Sequence, residues 1–248
     1  MTADAAVPAP PTAPVRWRRS RIGALTAMVV IFLAYSVPPY LTLDPTRSRI
    51  APPAAHPWYY PLLASHVVFG AIAMVTCLPQ IWPWFRRRHP DAHRRIGRVY
   101  VFAGVVPAAL LGFTIGTISP FGPVIRVSNM LLATLWLAFT VTGFRRARQR
   151  RYADHRRWMI RSVTLTLSII TNRVWAVIAA IVLVPQLPTM FGGNERMMVQ
   201  AIAGLAGWLG WTLPLLAAEW WLDREGLRSG RQLAGPNLTT GRRDVLAS

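Results

Sequence analysis

Two stretches of this sequence carry the same chemical groups in the same order. They are His89-Pro90-Asp91-Ala92-His93-Arg94-Arg95-Ile96-Gly97-Arg98-Val99-Tyr100 and Tyr152-Ala153-Asp154-His155-Arg156-Arg157-Trp158-Met159-Ile160-Arg161-Ser162. Each has an Asp, a His-Arg-Arg triplet and a later Arg, and each opens a long apolar segment. An Asp in that place caps a helix by accepting backbone N–H bonds. A helix start is the positive end of its dipole, so arginines clustered there call for an anion, which the free N–H groups also attract. Two chemistries fit. His93 and His155, at equal depth on different helices, form the ligand pair of a bis-histidine haem b, with Arg98 and Arg161 neutralising its propionates. Alternatively Asp91 and Asp154 hold Mg²⁺ while Arg94, Arg98, Arg157 and Arg161 clamp a lipid phosphate or prenyl diphosphate.

A second set lies within the apolar segments. His66 stands about 12 Å below one membrane surface and Arg173 about 16 Å, counting 1.5 Å per residue. An arginine at that depth costs several kcal/mol unless it is paired or hydrated, and it marks a candidate functional position. No carboxylate is available to it at that depth. Both residues are therefore expected to face the bundle interior in one shared cavity. Arg161, Thr164, Ser168, Thr171, Asn172 and Trp175 recur at helical spacing, so one face of the same helix is polar and must look inward. Glu219 sits at the depth of the two junctions and is expected to pair with Arg98 or Arg161.

These groups are positioned by apolar runs long enough to cross a bilayer. The sequence is 53% hydrophobic and 15% charged, and all 28 of its basic residues are Arg. A net charge of +19 suggests nucleic acid in a soluble chain, but here the arginines stand in blocks between apolar runs and set topology instead. Cys77 is the only cysteine, which excludes a disulfide framework and a cysteine metal site. The predicted fold is all-α: a polytopic integral membrane helical bundle of about six transmembrane helices. Spans are expected at about 22–43 (an uncleaved span rather than a signal peptide), 58–84, 98–119, 125–144, 158–184 and 199–222. The domain organisation is a disordered basic tail over 1–21, a membrane domain over 22–222, and a polar cytosolic tail over 223–248. Arginine blocks at 16–21, 86–98, 145–161 and 224–243 face four scattered arginines on the other side, Arg47, Arg49, Arg126 and Arg196. The positive-inside rule then places both termini in the cytosol of a bacterium, with the chain in the inner membrane. Gly204, Gly207 and Gly210 form a small-residue face on the last span, and His66, Gly70, Ala73 and Cys77 form another on the second; both permit close helix approach.

Taken together, Leu63-Ala64-Ser65-His66, then His89-Pro90-x-x-His93-Arg94-x-x-Gly97-Arg98-x-Tyr100, then His155-Arg156-Arg157-Trp158-Met159-Ile160-Arg161-Ser162 with Arg173, resemble the bacterial membrane-protein family called domain of unknown function 2306. The resemblance covers roughly residues 60–180. It implies a multi-span helical protein and brings no assigned chemistry.

Three functional readings follow. The first is a membrane redox protein, linked to haem b or quinone, with a cofactor set drawn from His66, His93, His155, Arg98, Arg161 and Arg173. The second is an enzyme acting on a lipid phosphate or prenyl diphosphate, with Mg²⁺. The third is a transporter or accessory membrane protein. The expected partners are the bilayer, anionic lipid headgroups and a quinone or isoprenoid lipid, and not nucleic acid.

Overall fold

The computed structural model describes the backbone of residues 15–50, 52–53 and 55–233, and within that range the side chains of 22–226. Among the described residues every regular element is helical. The long elements are α1 (Val15–Ser36), α3 (Tyr59–Ile81), α7 (Pro123–Arg148), α8 (Tyr152–Leu183) and α9 (Glu195–Leu233). Short α2 (Pro38–Leu41) follows α1, α4 (Pro83–Arg88) follows α3, and a continuous helical run joins α5 (Pro90–Arg98), a π-helical stretch at Val99–Val105 and α6 (Val106–Thr117). Five of the passes are long and apolar enough to cross a membrane: Tyr59–Ile81, Pro90–Thr117, Pro123–Arg148, Tyr152–Gln186 and Glu195–Gly226. The apolar part of α1 is shorter, Ile22–Ser36. Its whole length of 22 residues nonetheless spans about 33 Å, so it matches the hydrocarbon core only with its basic first turns at headgroup level. The molecule is a polytopic membrane helical bundle.

Prolines set the boundaries around the first junction. Trp82, before Pro83, is extended at ψ 109°, and His89, before Pro90, is non-helical at φ −131° and ψ 67°. A residue preceding proline is pushed out of the α region by the ring, so α3 stops at Ile81 and α4 at Arg88, and α5 restarts with Pro90 at its first position. The residues that connect the two spans thus form a short helix and not a loop. The expected Asp caps are also corrected. The helix caps lie two and three residues earlier, at His89 and Arg151, and neither makes a side-chain cap hydrogen bond. Asp91 and Asp154 lie inside the first turns, where a negative charge suits the dipole. Asp91 accepts from Arg94 Nη2 at 2.5 Å, and Asp154 pairs with Arg151 at the same distance. Outside the junctions, α1 begins at Val15 and α9 runs to Leu233, so helix extends into both stretches read as tails. Residues 1–14 and 234–248 lie outside the described residues.

The π-helical stretch has a local cause. Pro107 has no N–H to give to the carbonyl four residues back, and its ring crowds that turn. The preceding turn widens, with Val106 N–H donating to Val101 O, five residues back. The wider turn carries Tyr100 into the centre of the bundle, where it is fully buried. Its hydroxyl lies 2.7 Å from both Ser162 Oγ and Thr166 Oγ1. Thr140 Oγ1 is 2.6 Å from Ser162 Oγ, and Trp136 Nε1 donates to Thr166 Oγ1 at 3.0 Å. This network ties the third, fourth and fifth passes together, with each polar atom paired as burial in hydrocarbon demands. Close by, Gly104 meets α3: a Cβ there would lie 2.9 Å from Ala73 Cα, a backbone contact that leaves room for no side chain.

The fifth and sixth passes, α8 and α9, are joined along their length. Thr171 Oγ1 donates to Gly210 O at 2.5 Å, and Trp211 Nε1 reaches across to Ser128 Oγ on α7 at 2.9 Å. At the junction end, Arg161 donates twice to Glu219, at 2.5 and 2.7 Å. Arg156 grips Glu225 in the same bidentate fashion, and Arg157 stands 3.7 Å from Asp223. Of the two partners expected for Glu219, the structure selects Arg161.

Candidate functional site

The six passes enclose a cavity of about 480 Å³, and every pass contributes to its wall. Most of that wall is apolar or aromatic, including Phe32, Tyr40, Tyr59, Trp136 and Trp211, with small residues at Gly70, Gly112, Gly116, Gly207 and Gly210. Apart from the tyrosines, the polar side chains are Ser36 on α1, His66 on α3, Ser119 after α6, Asn129 on α7, Thr166, Ser168, Asn172 and Arg173 on α8, and Arg49 from the loop after α2. A second hollow of about 530 Å³, between Phe121 and Leu209, has no ionisable side chain in its lining.

His66 and Arg173 thus line one cavity, as their depths in the sequence suggest. His66 Nδ1 is 2.8 Å from the Ala108 carbonyl oxygen. That oxygen only accepts, so Nδ1 carries the hydrogen and donates, and the neutral ring holds its lone pair at Nε2. Gly112 makes room for the ring, since a Cβ there would lie 2.9 Å from His66 Cε1. Arg173 is exposed as well as lining the cavity, which puts it at the mouth rather than the floor. Among the described residues no carboxylate pairs with it, and none lines the cavity. Arg49 is held differently: its Nη2 donates to Tyr35 O at 2.7 Å, and its guanidinium lies 3.7 Å from the centre of the Tyr35 ring. It therefore closes the exposed C-terminal end of α1, where carbonyls lack helical partners.

The junction residues gather at the other end of the bundle. The two stretches meet where the Tyr100 hydroxyl lies 2.7 Å from Ser162 Oγ, and His155 acts electrostatically on His93. His155 Nδ1 donates to Gly143 O at 2.8 Å, leaving Nε2 without a partner among the described residues. His93 Nδ1 is buried with no hydrogen-bond partner, while its backbone carbonyl accepts from Gln80 Nε2 at 3.1 Å. Of the arginines expected around the pair, Arg94 acts on His93 while it pairs with Asp91, and Arg86 acts on it too; Arg157 and Arg161 turn to α9, and Arg98 is exposed. Among the described residues no three His, Cys, Asp or Glu side chains stand together as a metal site.

Sequence reasoning missed Asn129, Arg49 and the Tyr100 network. A lone amide or a run of hydroxyls inside an apolar span signals an inward-facing position. For Asn129 and for Ser162 with Thr166, one turn apart, that signal was present. For Arg49, in a polar loop, there was none.

No curated protein and no solved structure matches the chain. The family described as "Predicted membrane protein (DUF2306)" matches residues 63–222, which takes in α3 to the junction end of α9 and hence His66, Arg173 and both junctions. The chain belongs to that family of membrane proteins.

Proposed function

We propose that this protein binds a lipid-soluble ligand of the quinone class in the His66–Arg173 cavity and acts in membrane redox chemistry. The observation that carries the reading is the cavity wall itself. It combines an aromatic and glycine-rich interior with a few oxygen-seeking groups, His66, Arg173, Asn129 and Asn172. Ligand sites of this kind are apolar with a small number of placed polar groups, and span about 300–1,000 Å³. A planar ring with carbonyl or hydroxyl oxygens and an apolar tail suits such a wall. The quinone half of the redox reading draws more support than the haem half. The arginines meant for haem propionates are engaged elsewhere or dispersed, whereas the cavity is complete within the bundle.

The test uses two tryptophans already in the wall. Trp136 and Trp211 should be quenched saturably by a naphthoquinone added to the full chain in nanodiscs. Gly70 lines the cavity, and a Cβ at that position meets nothing within 4 Å. Gly70→Leu should therefore fill the space without straining the backbone, and weaken quenching at least about tenfold, the equivalent of about 1.4 kcal/mol. Quenching that never saturates, or that Gly70→Leu leaves unchanged, rules out the cavity as the site.

Orientation follows from the same arginines that mark the junctions. We place the junction end in the cytosol and the cavity mouth toward the outer leaflet, because the arginine blocks fall on the junction side. Reporter fusions after Pro53 and after Asn194 should read as external, and a cytosolic signal at either position overturns the assignment.

A further inference from the structure

The chemistry of the cavity reaches beyond binding. Its ionisable lining consists of Tyr40, Arg49, Tyr59, His66 and Arg173; α1, α6, α7 and α9 bring no charge to it, and no acid lines it among the described residues. Two of these groups are chemically available. His66 has its Nδ1–H committed to Ala108 O, so its remaining nitrogen offers a lone pair and acts as a base. Arg173 has a guanidinium with no counter-ion among the described residues. Arg49 already has Tyr35. An oxygen anion held between the protonated ring and the guanidinium is attracted by both, and that attraction offsets the cost of charging a buried imidazole.

We propose that the cavity takes its ligand as a weak acid and holds it as the anion. The ligand's O–H bond breaks, a new N–H bond forms at His66 Nε2, and the oxygen left behind pairs with the Arg173 guanidinium. No electron moves in this step. The ligand class is therefore narrower than lipid-soluble carbonyl compounds: a planar apolar ring bearing an acidic hydroxyl, such as a hydroxyquinone or quinol. This rests on the cavity reading above and adds to it the ionisation state of the bound molecule.

The experiment reads that state directly. The probe is an alkylated hydroxynaphthoquinone, whose anion absorbs more strongly in the visible than its neutral form. It is added to the full chain in nanodiscs at a pH one unit below its ionisation in protein-free nanodiscs. Binding is followed separately, by tryptophan quenching. The expected result is saturable binding with the anion band and no net proton released, because His66 keeps the proton. Arg173→Gln should bind the probe in its neutral form. His66→Gln, with Arg173 present, should show the anion band only with release of a proton approaching one per probe bound. Saturable binding without the band overturns the inference and leaves the cavity reading standing. A band accompanied by proton release from the unaltered protein removes His66 as the acceptor and overturns it also. Absence of saturable binding fails the cavity reading itself.

Discussion

Glu219→Ala is expected to lower the thermal unfolding midpoint more than any other single carboxylate change in the described part of the chain. Arg161 donates to both carboxylate oxygens, and its side chain is only 14% exposed against 35% for Glu219. Removing one partner of a buried pair leaves an uncompensated charge, which costs about 3–5 kcal/mol. Glu219 is a third open to solvent, so screening reduces the expected loss to about 2 kcal/mol. The reverse substitution should behave differently. In the double variant Arg161→Met with Glu219→Leu, no charge is left to desolvate, and most of the lost stability should return. Asp91→Ala is the comparison, because that pair is formed by exposed side chains and should leave the midpoint within error of the parent. Equal midpoints for Glu219→Ala and Asp91→Ala would show that the Arg161 pair is solvated and does not hold α8 to α9. Naphthoquinone quenching should persist in both, since neither residue lines the cavity.

That pair also shows which parts of the molecule are legible in the sequence. Depth along a span is a one-dimensional quantity, so it can be counted. Counting placed Glu219 level with Arg161 and His66 near Arg173, and the structure joins the first two and sets the second two in one cavity. Five of the about six expected spans follow from apolar length in the same way, while the apolar part of α1, Ile22–Ser36, is shorter. What failed depends on azimuth and on local backbone. Asp91 and Asp154 have the residue type of caps, but Pro90 and the Arg151 turn start the helices earlier, and both carboxylates turn to arginine. The four arginines expected around His93 and His155 share a depth, yet each points where its own helix face directs it, Arg161 to α9 and Arg94 back along α5. In the sequence Tyr100 is legible only as part of a motif. Its place at the centre of the hydroxyl network depends on the π-helical turn before Pro107, and no simple periodicity encodes that register shift.

Azimuth also decides the second large effect, which separates two glycines that look equivalent in sequence. Gly207 and Gly210 lie one turn apart on α9, and both are tightly packed. At Gly207 a Cβ would fall 2.0 Å from Ile125 Cδ1, the far end of a flexible side chain. Rotating Ile125 relieves that overlap at a cost of about 1 kcal/mol. At Gly210 a Cβ would fall 2.7 Å from Asn172 Cα and 3.0 Å from its backbone nitrogen. Backbone cannot rotate away, so α8 and α9 must separate, which also strains the hydrogen bond from Thr171 to Gly210 O. Overpacking of this kind costs about 1–3 kcal/mol, and the interhelical bond adds roughly 0.6 kcal/mol. Gly210→Ala should therefore destabilise the bundle by about 2–3 kcal/mol on those terms, although the overlap at Gly207 is nominally the worse. It should also weaken naphthoquinone quenching, because the displaced Asn172 and its neighbour Arg173 both line the cavity. Gly207→Ala should fold nearly as the parent does. If the two variants unfold at the same midpoint, or Gly207→Ala is the weaker, then it is the α7 contact and not the α8–α9 approach that limits the packing of the last pass.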